Sequence, residues 1–152
     1  SMHSFFELSR YLADGPFCLT TVDTIFREEE FKAYIAAFKA TVEAGSDGLM
    51  GVTDYIDDEK PLYVDADDDL NITAFLDKSD TCRLISGGIY GLTPKAITTL
   101  NGCIDRGESR MRNFQRALIN DGQRLKAYKF SKVLDIDHAS DIRKAEEYLI
   151  QL

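Results

Sequence analysis

Two stretches set acidic residues where an apolar run gives way to a turn or a helix. In "FCLTTVDTIF" (17–26), Asp23 closes a run of apolar and β-branched residues. In "VLDIDHASDI" (133–142), Asp135 and Asp137 follow Val133 and Leu134 and precede a helical pattern. Ligands of open α/β sheets bind in the crevice beyond the carboxyl ends of the strands. Two carboxylates from different strand ends, meeting over one crevice, suit Mg2+, which takes one or two carboxylates and completes its shell with water and substrate phosphates. The same residues also suit N-caps or turns, a common job for Asp before a helix, and residue type alone leaves both open.

Other constellations carry less chemistry. Asp65, Asp67 and Asp69 in "DADDDLN" match the first, third and fifth positions of a calcium loop, but Leu70 stands where Gly is needed and Leu76 where a bidentate Glu is needed. A solvated acidic turn is expected instead. "LDIDHA" resembles the paired aspartates of haloacid-dehalogenase-like phosphatases, with Asp135 as nucleophile and Asp137 as acid. Ala139 breaks that motif, and only 15 residues follow Asp137. His3 and His138 have no partner at zinc-ligand spacing, and Cys18, Cys82 and Cys103 form no CxxC. Arg110, Arg112 and Arg116, with Lys126, Lys129 and Lys132 soon after, supply a basic stretch that suits phosphate or a solvated face equally.

A chain of 152 residues, 44% apolar and 29% charged, fits one domain, 1–152, with a packed core. The net charge of −8 argues against nucleic acid as a partner, because phosphate-backbone affinity is built on cationic surface. The basic balance is late: residues 106–144 hold 10 Lys/Arg against 5 Asp/Glu, whereas 1–105 hold 8 against 19. No apolar run is long enough to cross a bilayer, and the expected location is the cytoplasm.

The elements that must position these residues follow from periodicity. "SFFELSRYL" predicts a short helix with a capping box at Ser4 and Glu7 and an apolar face of Phe5, Leu8 and Leu12. Phe17–Val22 predicts a doubly covered strand. Arg27–Ala44 predicts a helix with Phe31, Tyr34, Ile35, Phe38 and Val42 inward and Glu28–Glu30 in the first turn. "GLMGVT", two strands around the acidic turn, "RLISGGIYGL", "LKAYKF" and "KVLDI" complete the strands. Helices are predicted from Pro94 to about Arg106, from Ser109 to Gly122, and after Asp137, the last with Ile142, Ala145 and Leu149 on one side. Alternating strands and helices indicate an α/β domain with a mostly parallel sheet flanked by helices.

Four pieces in order, "CLTTVDTIF", "LISGGIYGLTPKAI", "SRMRNFQRALI" and "KVLDIDHASDIRKAEEYL", resemble the sugar nucleotidyltransferases of the MobA-like, nucleotide-sugar pyrophosphorylase type. The resemblance implies a Rossmann-like nucleotidyltransferase fold. The implied reaction is attack of a sugar 1-phosphate on the α-phosphate of a nucleoside triphosphate, releasing pyrophosphate, with Mg2+ as cofactor. It implies Asp23 and Asp137 as metal ligands and Ser86, Gly87 and Gly88 under the sugar. Lys78, beside Asp77, and Arg112 would contact the phosphorylated substrate.

The glycine-rich loop with Arg and the downstream Lys-Pro that open the family fold do not occur in these 152 residues; the only Lys-Pro is Lys60-Pro61. The sequence therefore reads as an N-terminally truncated form of the fold, expected to lack turnover and to self-associate through uncovered sheet edges, which light scattering would reveal. A non-catalytic Rossmann-like binding or assembly module is the alternative.

Overall fold

The computed structural model describes residues 1–151. A single long strand organises it. β6 (Leu84–Leu92) runs through the middle of a six-stranded sheet whose other members are β1 (Phe17–Thr20), β3 (Gly48–Thr53), β4 (Tyr63–Ala66), β5 (Ile72–Leu76) and β7 (Leu125–Phe130). β3 lies along one edge of β6 for its whole length. The other edge is shared: β4 pairs with Leu84 and Ile85, and β1 with Ile89–Leu92. A separate two-stranded ladder joins β2 (Thr24–Ile25) to β8 (Leu134–Asp135).

Alternation along the strands sends residues to two cores. Leu49 and Ile89 point to one face, where Tyr34 and Phe38 of α2 (Glu28–Glu43) meet Phe130. Met50, Val52, Tyr90 and Leu92 point to the other. There they pack against α1 (Met2–Ser9), α3 (Lys95–Asp105) and α4 (Met111–Asn120). α5 (Ala139–Ile150) covers β8 through Ala145 and Tyr148. Because helices seal both faces, all six residues of β3 are buried.

The α/β class and the flanking helices are as expected, but the sheet is not mostly parallel. Only β3 and β7 run parallel; β6 is antiparallel to each of its three partners, and β4 to β5. Apolar runs such as "GLMGVT" report burial on both faces, and helices on both sides impose that burial whatever the strand direction.

Two helix faces also differ from expectation. α1 starts at Met2 rather than at Ser4, so no capping box forms, and it buries Met2, Phe5 and Ser9. Leu8 stays half exposed. On α5 the buried pair is Ala145 and Tyr148, while Ile142 and Leu149 are exposed. The Tyr148 hydroxyl donates to the Lys132 carbonyl at 3.1 Å, which turns that edge of the helix inward.

The acidic turn is spent on its own backbone. The Asp67 carboxylate accepts from the amides of Asp69 and Asn71 at 3.0 and 2.9 Å. The Ala127 amide donates to the Leu70 carbonyl at 2.8 Å, docking the hairpin tip on β7 and curling the sheet. The outer edge of β1 takes no strand among the described residues.

Where β6 changes partner from β4 to β1, its register against β3 jumps: Gly51 faces Ile89, while the next residue, Val52, faces Ser86. Gly87 and Gly88 bulge out between them. A bulge leaves unpaired residues and re-aims the chain, which is why it is found beside functional sites. Gly88 has φ +72°, and a Cβ there would lie 2.8 and 2.9 Å from the hydroxyls of Thr21 and Thr24. Gly88→Ala is expected to destabilise the protein by roughly 1–2 kcal/mol through backbone handedness alone, with the clash adding to it; urea unfolding measures the loss.

Candidate active site

The bulge fixes the turn that carries Asp23. The Thr21 amide donates to the Gly88 carbonyl at 3.2 Å, and the hydroxyls of Thr21 and Thr24 are hydrogen-bonded to each other. Beyond that turn, β2 pairs antiparallel with β8, Thr24 opposite Asp135 and Ile25 opposite Leu134. The Ile136 amide donates to the Asp23 carbonyl at 3.0 Å, and the Thr24 hydroxyl to Asp135 Oδ1 at 3.3 Å. A two-residue ladder thus joins two carboxylates that lie 112 positions apart in the chain.

Asp23 and Asp135 line one crevice of about 520 Å³ together with Asp58. Burial, and then the neighbouring Asp23, push the Asp135 carboxyl up to about 6, with Asp137 and Asp58 adding to the shift and the Thr24 hydroxyl opposing it. Tyr90, buried in the same crevice, is pushed up to about 12 by burial and then by Asp135, so its hydroxyl keeps its proton at neutral pH. Lys60, Arg110 and Arg112 line the crevice as well, so it holds both signs of charge.

Arg112 is already engaged. It donates to Asp77 Oδ1 at 2.7 Å and to the Lys60 carbonyl at 3.0 Å. Arg116 also pairs with Asp77, and the two guanidiniums hold that carboxyl below the usual range, Arg112 contributing most. The Lys60 amide is held by Asp58 Oδ1 at 2.9 Å. Lys60 is therefore fixed at its backbone from both sides, while its ammonium, like the Arg110 guanidinium, enters no ion pair among the described residues.

The residues singled out from sequence divide accordingly. Asp23, Ser86, Gly88 and Arg112 come together in the crevice. Asp137 does not: it lines an adjoining recess with His138 and Lys144, where its amide and that of His138 donate to Asp141 at 3.2 and 2.9 Å. Asp135 takes the place beside Asp23 that the resemblance gave to Asp137. A Cβ at Gly87 would meet the Gly51 carbonyl and Val133, and one at Gly88 the hydroxyls of Thr21 and Thr24. Lys78 is exposed and lines none of this crevice, its neighbour Asp77 being turned to the arginines. Sequence reasoning passed over Lys60 and Gln115; Gln115 was legible as a polar residue on the apolar stripe of α4.

No family model matches the sequence, and no curated protein does. Solved structures do match. An inositol-1-phosphate CTP transferase from T. maritima is 20% identical with a TM-score of 0.75, over 97% of this chain and 62% of its own. A putative glucose-1-phosphate thymidylyltransferase from Bacillus anthracis is 13% identical with a TM-score of 0.81, over 100% and 61%. A UTP-bound UGPase from Acinetobacter baumannii is 14% identical with a TM-score of 0.74, over 97% and 55%. The fold is that of the sugar-phosphate nucleotidyltransferases. At these identities the likeness is one of fold, and the chain spans 55 to 62% of the length of these structures.

Among the described residues no group of three or more His, Cys, Asp or Glu is arranged to hold a metal. The two carboxylates that the β2–β8 ladder joins, Asp23 and Asp135, fit an ion that takes its remaining ligands from water and substrate. No described helix is long and apolar enough to cross a membrane.

The raised Asp135 carboxyl has a consequence for stability. Its folded pKa of about 6 lies above the ordinary 3.8, so folding is penalised as pH rises from about 4 through 6 and the penalty is fully present at pH 7. Asp135→Asn is expected to raise Tm at pH 7, with the gain fading towards pH 4; solvent in the open crevice keeps it modest. Calorimetry at both pH values reads the difference, and an equal shift at pH 4 and pH 7 would contradict this origin.

Proposed function

We propose that this crevice serves the transfer of a nucleoside monophosphate from a nucleoside triphosphate to a phosphorylated, sugar-like acceptor. The observation that carries this reading is the pairing of β2 with β8, which sets Asp23 beside Asp135 in a crevice that also holds the unpaired cations of Lys60 and Arg110. The fold shared with a CTP transferase, a thymidylyltransferase and a UGPase supports it.

Asp23 and Asp135 would hold Mg2+, which would offset the Asp23 repulsion that, after burial, raises the Asp135 carboxyl. When bound, the ion supplies neutralisation of phosphate charge as the phosphoryl bond changes. The rest falls to the chain. Lys60 and Arg110 hold the acceptor's phosphate, Arg for its fork of donors and Lys as a point charge. Arg112 keeps Lys60 in place through its carbonyl. An oxygen of that phosphate forms a bond to the α-phosphorus as the bond from the α-phosphorus to the α–β bridging oxygen breaks, and pyrophosphate leaves with the electron pair. Lys78 has no part in this reading.

The expected outcome is cooperative stabilisation. Mg2+ and glucose 1-phosphate together raise Tm by more than the two separately, and Asp23→Asn removes the Mg2+ effect. Melting that is indifferent to Mg2+ at millimolar concentration would contradict the proposal. Pyrophosphate release from these 152 residues alone, given Mg2+, nucleoside triphosphates and sugar 1-phosphates, is expected to be absent, because the glycine-rich loop is not among them.

A further inference from the structure

α4 meets the crevice with its N-terminus. Ser109, Arg110, Met111 and Arg112 line the crevice there, and no side chain caps the helix. The amides of Met111 and Arg112 donate to no protein group among the described residues, whereas that of Asn113 donates to the Arg110 carbonyl at 3.0 Å. Free amides and the helix dipole together favour an anion at such an end. Every uncapped helix shares that property; what sets this one apart is Gln115.

Gln115 lies on the buried stripe of α4 and is only 2% exposed, yet it lines the crevice. Ser86 donates its one proton to Gln115 Oε1 at 3.1 Å, so in the hydrogen bond between Ser86 and the Tyr90 hydroxyl the donor is Tyr90. This relay from Tyr90 through Ser86 fixes the Gln115 carboxamide and ends on its nitrogen. Gln115 Nε2 donates to no protein group among the described residues and is not sealed from solvent. Helical side chains lean towards the N-terminus, which carries this nitrogen over the first turn and the free Met111 amide, four residues back. A donor held at this depth without an acceptor is costly unless a ligand completes it.

This end of the crevice therefore offers donors only. A ligand hydroxyl could accept from them, but Ser86 is engaged both as donor and as acceptor, and the subsite has no group for the hydroxyl's own proton. An ionised oxygen has no proton to place and accepts from several donors at once. The phosphate that Lys60 and Arg110 hold accounts for the side-chain cations and leaves the two amides and Gln115 Nε2 without a partner.

We infer that the N-terminus of α4 and Gln115 form a subsite for a second acidic group on the acceptor, so that the crevice prefers phosphorylated sugar acids or bisphosphates to neutral sugar phosphates. This rests on the reading above, that a phosphorylated acceptor occupies the crevice. Gln115 and the two amides touch the acidic group and not the reacting atoms; they set which acceptor is preferred. Asp23 and Asp135 belong to the β2–β8 ladder, and theirs is the charge that Mg2+ would offset.

The test is calorimetric titration of the protein, with Mg2+ present, with glucose 1-phosphate, glucuronic acid 1-phosphate and glucose 1,6-bisphosphate. The better of the two acidic esters is expected to bind about tenfold tighter than glucose 1-phosphate, the worth of one hydrogen bond to a charged group. Which of the two it is distinguishes a carboxylate from a second phosphate. In 15N spectra the Gln115 side-chain amide and the Met111 and Arg112 amides should shift with that ester and not with glucose 1-phosphate. Gln115→Met, close in volume, is expected to bring the affinity ratio towards one. Met111→Pro should lower the ratio as well, because proline suits the first helical position after the extended Arg110 and deletes one free amide. It carries the test should Gln115→Met fail to fold. Equal binding of all three esters by the unmodified protein overturns the second acidic subsite and leaves the proposed function standing. A preference that survives both substitutions likewise overturns it. Binding of none of the three overturns the subsite and the proposed function together.

Discussion

The structure depends on two residues that are left out of a ladder. If β6 paired continuously with β3, Gly87 and Gly88 would be ordinary strand residues and the Thr21–Asp23 turn would have no carbonyl to hold. Because they bulge at the point where β6 passes from β4 to β1, the Gly88 carbonyl reaches the Thr21 amide. The next residues can then enter the short pairing with β8. Only glycine can be placed here at low cost, since the backbone is left-handed and two hydroxyls occupy the volume of a Cβ. The carboxylate pair is a product of main-chain geometry before it is a product of side chains.

Burial first, and then the repulsion between two aspartates drawn together, raises the Asp135 carboxyl. The opposite charge in the crevice is set just as firmly: Arg112 spans Asp77 and the Lys60 carbonyl, so one arginine joins the end of the β4–β5 hairpin to the loop before it. Arg112 therefore fixes the backbone of Lys60, whose ammonium, like the Arg110 guanidinium, enters no ion pair among the described residues.

Much of this was legible in the sequence, for reasons that can be named. α2 is legible to within a residue of its ends because its aromatic stripe, its acidic first turn and Gly45 all agree. The acidic turn is legible as a turn because Leu70 and Leu76 break the calcium-loop pattern, and Asp67 caps its own backbone there. Strand direction was not legible, since an apolar run records which faces are covered and not which way its neighbours point. Which of the two late aspartates lies beside Asp23 is not legible for a related reason. Asp135 and Asp137 are two residues apart and share strand parity, so pattern cannot separate them. What separates them is that β8 ends at Asp135 and the chain then turns into α5, taking Asp137 to Asp141 and the adjoining recess. Gln115 shows the reverse case, a polar residue on an apolar stripe that helix periodicity marks but cannot interpret until Ser86 is seen beside it.

The proposed divalent-cation site depends on the bulge in β6, which brings Asp23 and Asp135 into one crevice. Titration of the 15N-labelled protein with Mn2+, read as paramagnetic broadening of individual amides, tests it most directly. Broadening should centre on Thr21–Thr24, Gly87–Gly88 and Leu134–Ile136 at the lowest Mn2+ additions. Broadening that begins instead in the Asp65–Asp69 turn or around Asp137–Asp141, with the Gly88 and Thr24 amides unaffected, would contradict it.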